Sequence, residues 1–201
     1  MGCDIHICTE INKSVNKNDI WVNSDDWKYN PYYEIGNTDG EQKYKLKSIY
    51  RNRNYNLFAM LAGVRNYSNI TPIAEPRGIP HDVHHITKQE YDKWGLDAHT
   101  PSWFTLEEIK QAKIDIPTTA YSGMVSADGL KAIENGDMPD TWCQGTTNPD
   151  CTYVEWAHRN TQFDELIEQL ELIKRDAFWV YGDEEDTTLD SKVRIVFWFD
   201  N

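Results

Sequence analysis

The chain has 201 residues, with 33 acidic side chains against 20 basic ones and a formal net charge of −13. A field of that sign repels nucleic-acid backbones and anionic membranes, which argues against general nucleic-acid binding and against a membrane-surface role. A chain of this length can bury roughly 70% of its unfolded surface, so neither a metal nor a disulfide is required merely to fold it.

Residues 3–11 alternate. Ile5, Ile7, Thr9 and Ile11 share one face of a strand, and Asp4, His6, Cys8 and Glu10 share the other. Residues 12–18 form a polar turn and 19–22 a returning strand. Residues 23–50, rich in Asn, Asp, Tyr and Lys, predict a long excursion with a short hairpin around residues 36–40.

Asn54 is placed to cap a helix over residues 55–61, with Leu57, Phe58 and Leu61 along one stripe. Thr87-Lys88-Gln89-Glu90 and Thr105-Leu106-Glu107-Glu108 both have capping-box spacing, the first helix stopping at Gly95 and the second near Lys113. A third short helix is expected over residues 126–135, closed by Gly136, with prolines punctuating the loops between. The clearest helix runs over residues 161–174, where Phe163, Leu166, Ile167, Leu170 and Ile173 recur at helical spacing. Residues 177–181 and 193–199 are aromatic and β-branched runs around an acidic link, the pattern of a hairpin. The expected class is α+β: one domain over residues 1–201, with a mostly antiparallel sheet that includes both chain termini and several short helices packed on one side.

Cysteines at 3, 8, 143 and 151 have neither zinc-ribbon nor redox spacing, which predicts reduced thiols in a cytoplasm. No apolar run reaches the roughly 20 residues of a membrane span. Asp4-x-His6 and Asp97-x-His99 repeat one spacing that, on a strand, aims a carboxylate and an imidazole the same way. Asp4, His6, Asp97 and His99 are therefore candidate ligands for a divalent metal, Zn or Mn, with His6 and His99 as catalytic groups of a hydrolase. The alternative is that such positions are ordinary outer-face polar residues. His81, His84 and His85 form a further histidine-rich patch. No Walker A, G-x-G-x-x-G or G-x-S-x-G loop is present. Arg77 sits in the stiff Glu75-Pro76-Arg77-Gly78-Ile79-Pro80 loop, and Arg194 alternates with Val196, Trp198 and Asp200. Planar, bidentate arginines suit phosphate or carboxylate, unless they pair with the chain's own acids.

Several ordered blocks carry a resemblance. They are Met1-Gly2-Cys3-Asp4-Ile5-His6, Arg53-Asn54-Tyr55-Asn56-Leu57-Phe58 running on to Val64-Arg65-Asn66, Pro76-Arg77-Gly78-Ile79-Pro80-His81-Asp82-Val83, Asp97-Ala98-His99-Thr100-Pro101-Ser102-Trp103, and Arg194-Ile195-Val196-Phe197-Trp198-Phe199-Asp200-Asn201. In these the chain resembles a set of small proteins encoded in tailed-phage genomes. Thr100 and Pro101 depart from the Ser-rich stretch of that pattern. The resemblance implies a phage accessory protein, acting against host defence in the cytoplasm of an infected bacterium. In that setting the expected role is to sequester a small phosphate-bearing ligand, a nucleotide immune signal, without a cofactor. Arg53, Arg65, Arg77 and Arg194 would hold phosphates and Tyr55, Trp103 and Trp198 would stack on bases, in a homo-oligomer. The alternative is the metal-dependent phosphoesterase. A third reading, an acidic surface that mimics nucleic acid to grip a host protein, follows from net charge alone.

Overall fold

The structure is a computed structural model and describes residues 2–14, 19–34, 42–143, 149–179 and 187–200. Its centre is a four-stranded antiparallel sheet in the order β2-β1-β8-β5, formed by Trp21–Asn23, Asp4–Asn12, Val193–Asp200 and His99–Thr105. The first and last strands pair along their length, from Asp4 opposite Asp200 to Ile11 opposite Val193. Two smaller antiparallel ribbons accompany it: β3 (Trp27–Tyr29) with β4 (Tyr44–Leu46), and β6 (Thr118–Val125) with β7 (Thr152–Arg159).

Antiparallel partners share a face, so Ile5, Ile7 and Ile11 align with Phe199, Phe197 and Val193. That face carries the main core. Against it pack α1 (Tyr55–Ala62), α3 (Leu106–Asp115) and α5 (Asp164–Phe178), through Phe58, Ile109, Leu166 and Leu170. The opposite face, with His6, Cys8 and Glu10, is covered partly by α2 (His85–Asp92) and the turn that follows it. Being covered on both sides, β8 is buried from Val193 to Phe199, which explains its near-continuous apolar sequence. No helix among the described residues is long and apolar enough to cross a membrane.

Asn54 caps α1 by accepting from the Leu57 N–H, and Gly63 closes it with φ +70°. Thr105 forms a true capping box with Glu108. Thr87 does not. Its helix starts at His85, and the buried Thr87 hydroxyl instead accepts from Asn23 Nδ2 at 3.2 Å, a tertiary contact that overrides the local signal. The helix over 126–135 is α4 (Ala127–Glu134), capped by Ser126.

Residues 177–179 do not form the expected hairpin strand, and residues 180–181 lie outside the described residues. Helix α5 continues through Phe178 because Ile173, Ala177 and Phe178 keep its apolar stripe on the core, and Trp179 ends it at φ +54°. The acidic turn at 183–186 and the expected hairpin turn at 36–40 lie outside the described residues, although β3 and β4 flank the latter.

Where β2 leaves the sheet, a carboxylate takes over the ladder. Asp25 accepts the Thr9 N–H on both oxygens, at 3.0 and 3.1 Å, together with the Thr9 hydroxyl at 2.6 Å and Asn23 Nδ2 at 2.9 Å. Burial outweighs these hydrogen bonds and pushes the Asp25 carboxyl up to about 6. Its pKa is thus higher folded than unfolded, so the folded state binds the extra proton between about pH 4 and 6. The associated penalty is absent below that window and complete above it. Raising the pH from 4 to 7 is therefore expected to shift stability by about 2–3 kcal/mol in favour of Asp25→Asn over the parent. Urea denaturation of both proteins at the two pH values measures this, and a pH-independent difference would refute it.

Candidate functional site

The first strand sets the site. His6 lies opposite Trp198 in the β1–β8 ladder, and the turn after α2 brings Trp94 over it. The imidazole is thereby held between two indoles, 3.9 Å from the Trp94 ring and 5.8 Å from the Trp198 ring, centroid to centroid. Tyr91 packs edge-on against Trp198 and fixes the second wall. His6 Nε2 is 3.3 Å from Asp200 Oδ2, within ion-pair range though not aligned as a hydrogen bond. The other Asp200 oxygen accepts the Asp4 N–H at 3.0 Å.

Asp4 is clamped in turn by Arg53, whose Nε and Nη2 reach its two carboxylate oxygens at 2.5 and 2.8 Å. That hydrogen-bonded partner holds the Asp4 carboxyl below the ordinary carboxylate range. Gly2 is what lets the guanidinium sit there, since a Cβ at that position would lie 2.6 Å from Arg53 Nη1.

In front of these residues opens a cleft of about 420 Å³, whose walls include His6, Leu46, Ser48, Arg51, Glu90 and Trp94. Of its charged lining residues, Arg51 is basic and Asp4 and Glu90 are acidic. Arg51 is exposed and has no carboxylate partner among the described residues. Lys28 and Lys45 stand directly opposite each other on the β3–β4 ribbon, an unfavourable like-charge pair. Desolvation, followed by the nearby charges of Arg51, Lys45 and Lys47, holds the Lys28 ammonium below the ordinary lysine value. Lys47 reaches Asp26 only at 3.9 Å, with both side chains well exposed.

The remaining candidates lie elsewhere. Arg77 is paired with Glu108 at 2.7 and 3.1 Å and lies over the Trp103 and Phe104 rings. Arg194 is buried, donating to Glu10 Oε2 and Asp82 Oδ1 and stacked 3.9 Å from the Trp21 ring centroid. Arg65, at φ +52°, lies beside Tyr67 and Cys3. Tyr55 packs on Phe58 and Tyr67. Arg53, Arg77 and Arg194 are thus each neutralised by the chain's own acids, and only Trp198 of the expected stacking residues lines the cleft.

The two Asp-x-His pairs do not come together. His99 pairs with Phe199 and rests on its ring at 6.0 Å, on the core-facing side of β8, whereas His6 is on the Trp198 side. Its Nδ1 lies 2.9 Å from the Thr100 hydroxyl, and Nε2 is buried without a partner among the described residues. Asp97 ends the short turn Gly95–Asp97. Among the described residues no three His, Cys, Asp or Glu side chains gather as a metal-holding group. His84 donates its backbone N–H to Glu10 and its ring lies against His85.

Sequence reasoning named Asp4, His6 and Trp198 but not Trp94, Arg51, Glu90 or Asp200 as parts of one site. Asp200 carried a signal, since it alternates with Trp198 on the last strand. Trp94 carried none, because its spacing marked only a helix end. Compared with known proteins, the chain matches no family profile, no curated protein and no solved structure.

Proposed function

We propose that this protein binds a small phosphate-bearing ligand of the nucleotide class in the cleft between β1, β4 and Trp94. The observation that carries this reading is Arg51, which lines the cleft with no carboxylate partner among the described residues and with Lys28 near it, in a chain of net charge −13. A planar guanidinium left without a carboxylate partner among the described residues is suited to phosphate. Trp94 supplies an aromatic wall of the same cleft. The resemblance to tailed-phage accessory proteins supports a counter-defence setting, with a nucleotide immune signal as the captured ligand.

The test is to incubate the pure protein with cyclic and ADP-ribose-type nucleotides, with and without EDTA, and to analyse the solution after denaturing the protein. Intact ligand released on denaturation is expected. Arg51→Ala is expected to weaken binding by about 10-fold or more, the loss of a charge-assisted contact. Absence of binding, or unchanged affinity in Arg51→Ala, would overturn the reading.

A second reading rests on His6 and Asp200. A carboxylate beside an imidazole in a cleft can orient it as a general base, so the same site has the elements to hydrolyse a bound ester. Disappearance of the nucleotide that survives EDTA and is lost in His6→Ala would favour this reading. EDTA-sensitive turnover would instead revive the metal-dependent phosphoesterase.

A further inference from the structure

The Asp4–Arg53 ion pair is a partition. Asp4 borders the cleft just described, while Arg53 borders a separate groove formed by the start of α1, residues 67–68, β6, Trp142 and Gln162. This groove has a volume of about 610 Å³ and continues, past the shared residues Tyr67, Ser68 and Tyr121, into a second hollow of about 560 Å³ lined by Trp156.

Its walls are aromatic and already assembled. Tyr121 stacks on Trp156 at 5.6 Å and 16°, and Trp142 stands edge-on to both, at 83° and 89°. Tyr67 and Trp142 remain substantially exposed, so large ring surfaces are left uncovered on a groove wall. The polar atoms between the rings are amides and a phenol. Asn54 Nδ2 donates to Gln162 Oε1 at 2.5 Å, and Gln162 Nε2 donates to the Tyr121 hydroxyl at 2.8 Å. Gln162 Nε2 has a second hydrogen beyond this bond, whereas Asn54 also reaches the Tyr50 hydroxyl and Tyr121 also meets Thr119. The Trp156 indole N–H is buried without an acceptor among the described residues.

Uncovered ring faces stack on a base whatever its identity, and forked amides match the donor–acceptor edge of a neutral heterocycle. A purely apolar guest would leave the second Gln162 hydrogen and the Trp156 N–H unanswered. A phosphate alone would find, among the described residues lining the groove, only the cation Arg53, already engaged by Asp4.

We infer that this groove receives the nucleobase of a ligand whose phosphate lies in the cleft, the two halves meeting across Arg53. The inference rests on the proposed cleft function and narrows it to nucleotides long enough to occupy both sides of the partition. Arg53, bound to Asp4 and packed on Gly2, is the fixed post between them.

Calorimetric titration with adenosine, pyrophosphate and ADP-ribose separates the halves. Trp142→Ala is expected to weaken ADP-ribose by about 10-fold or more and to abolish adenosine binding, with pyrophosphate unchanged. Arg51→Ala is expected to weaken pyrophosphate and ADP-ribose and to spare adenosine. Gly123→Ala provides a second route, because its Cβ would lie 2.8 Å from the Cys143 carbonyl oxygen and displace the backbone that carries Trp142. It should reproduce Trp142→Ala, with near-UV circular dichroism and thermal melting reporting whether either variant is folded. If ADP-ribose binds and Trp142→Ala leaves it unchanged, the groove assignment falls and the cleft reading stands. If adenosine binds through Trp142 while pyrophosphate does not bind and Arg51→Ala has no effect, the cleft reading falls and the two-part ligand falls with it. Absence of all binding overturns both.

Discussion

Replacing Arg194 by alanine is expected to destabilise the protein by about 3–5 kcal/mol, the cost of stranding a buried charge. Glu10 is 0% exposed and Arg194 2% exposed, with Nε and Nη2 of the arginine 2.9 and 2.7 Å from the same carboxylate oxygen. Without the guanidinium, the Glu10 carboxylate keeps the His84 N–H at 2.9 Å, far too little for an ionised group out of water. Asp82, one-third exposed, would be solvated and contribute less to the loss. Changing Glu10 to Met together with Arg194 to Met should return much of the stability, since an apolar pair of similar volume avoids both desolvation costs. Urea denaturation of the two singles and the double measures the coupling. If Arg194→Ala cost less than about 1 kcal/mol, the pair would be hydrated and the geometry described above would be wrong.

Phe58→Ala is the second large effect. Phe58 is fully buried on α1 and meets Phe199 of β8 at 5.2 Å and 62°, so the change should cost about 3–5 kcal/mol through lost transfer energy and the void left behind. Phe58→Leu fills most of that space and should cost markedly less. The substitution should also reach the cleft. Phe199 precedes Asp200, whose carboxylate holds the Asp4 N–H and faces His6, so a loosened Phe199 frees the end of β8. The expected result is a lower urea midpoint at unchanged slope, with ligand affinity falling further than in a surface control. An unchanged midpoint would show that α1 does not clamp the sheet.

The parts of this fold that were legible in the chain are those in which local chemistry and tertiary demand agree. Asn54 and Thr105 cap because the stripes that follow them, Leu57–Phe58–Leu61 and Leu106–Ile109, also face the core. The alternation of residues 3–11 and the aromatic, β-branched run over 193–199 marked the two central strands and placed both in one sheet. Thr87 misled because a hydroxyl with capping spacing was claimed by Asn23 from another element. Residues 177–178 misled because aromatic composition cannot tell a buried helix end from a strand. The β6–β7 ribbon was not visible at all: its strands are separated by 26 positions that include α4, so no turn signal links them. The site was half legible. His6 was marked by its position on a strand, but Trp94 and Arg51 reach it from a turn and a connecting segment, and only folding brings those beside β1.

The pairing of β1 with β8 also governs when the molecule can form. Asp4 and Asp200 are joined across 196 positions of chain, the longest-range contact in the sheet, and β2 supplies β1 with only three partners, at residues 10–12. On a ribosome, the first strand therefore waits with Ile5 and Ile7 unpaired until the last strand emerges, and contacts so distant in sequence slow folding. His6 receives Asp200 and Trp198 in that same final step, so the cleft is completed only when the sheet closes.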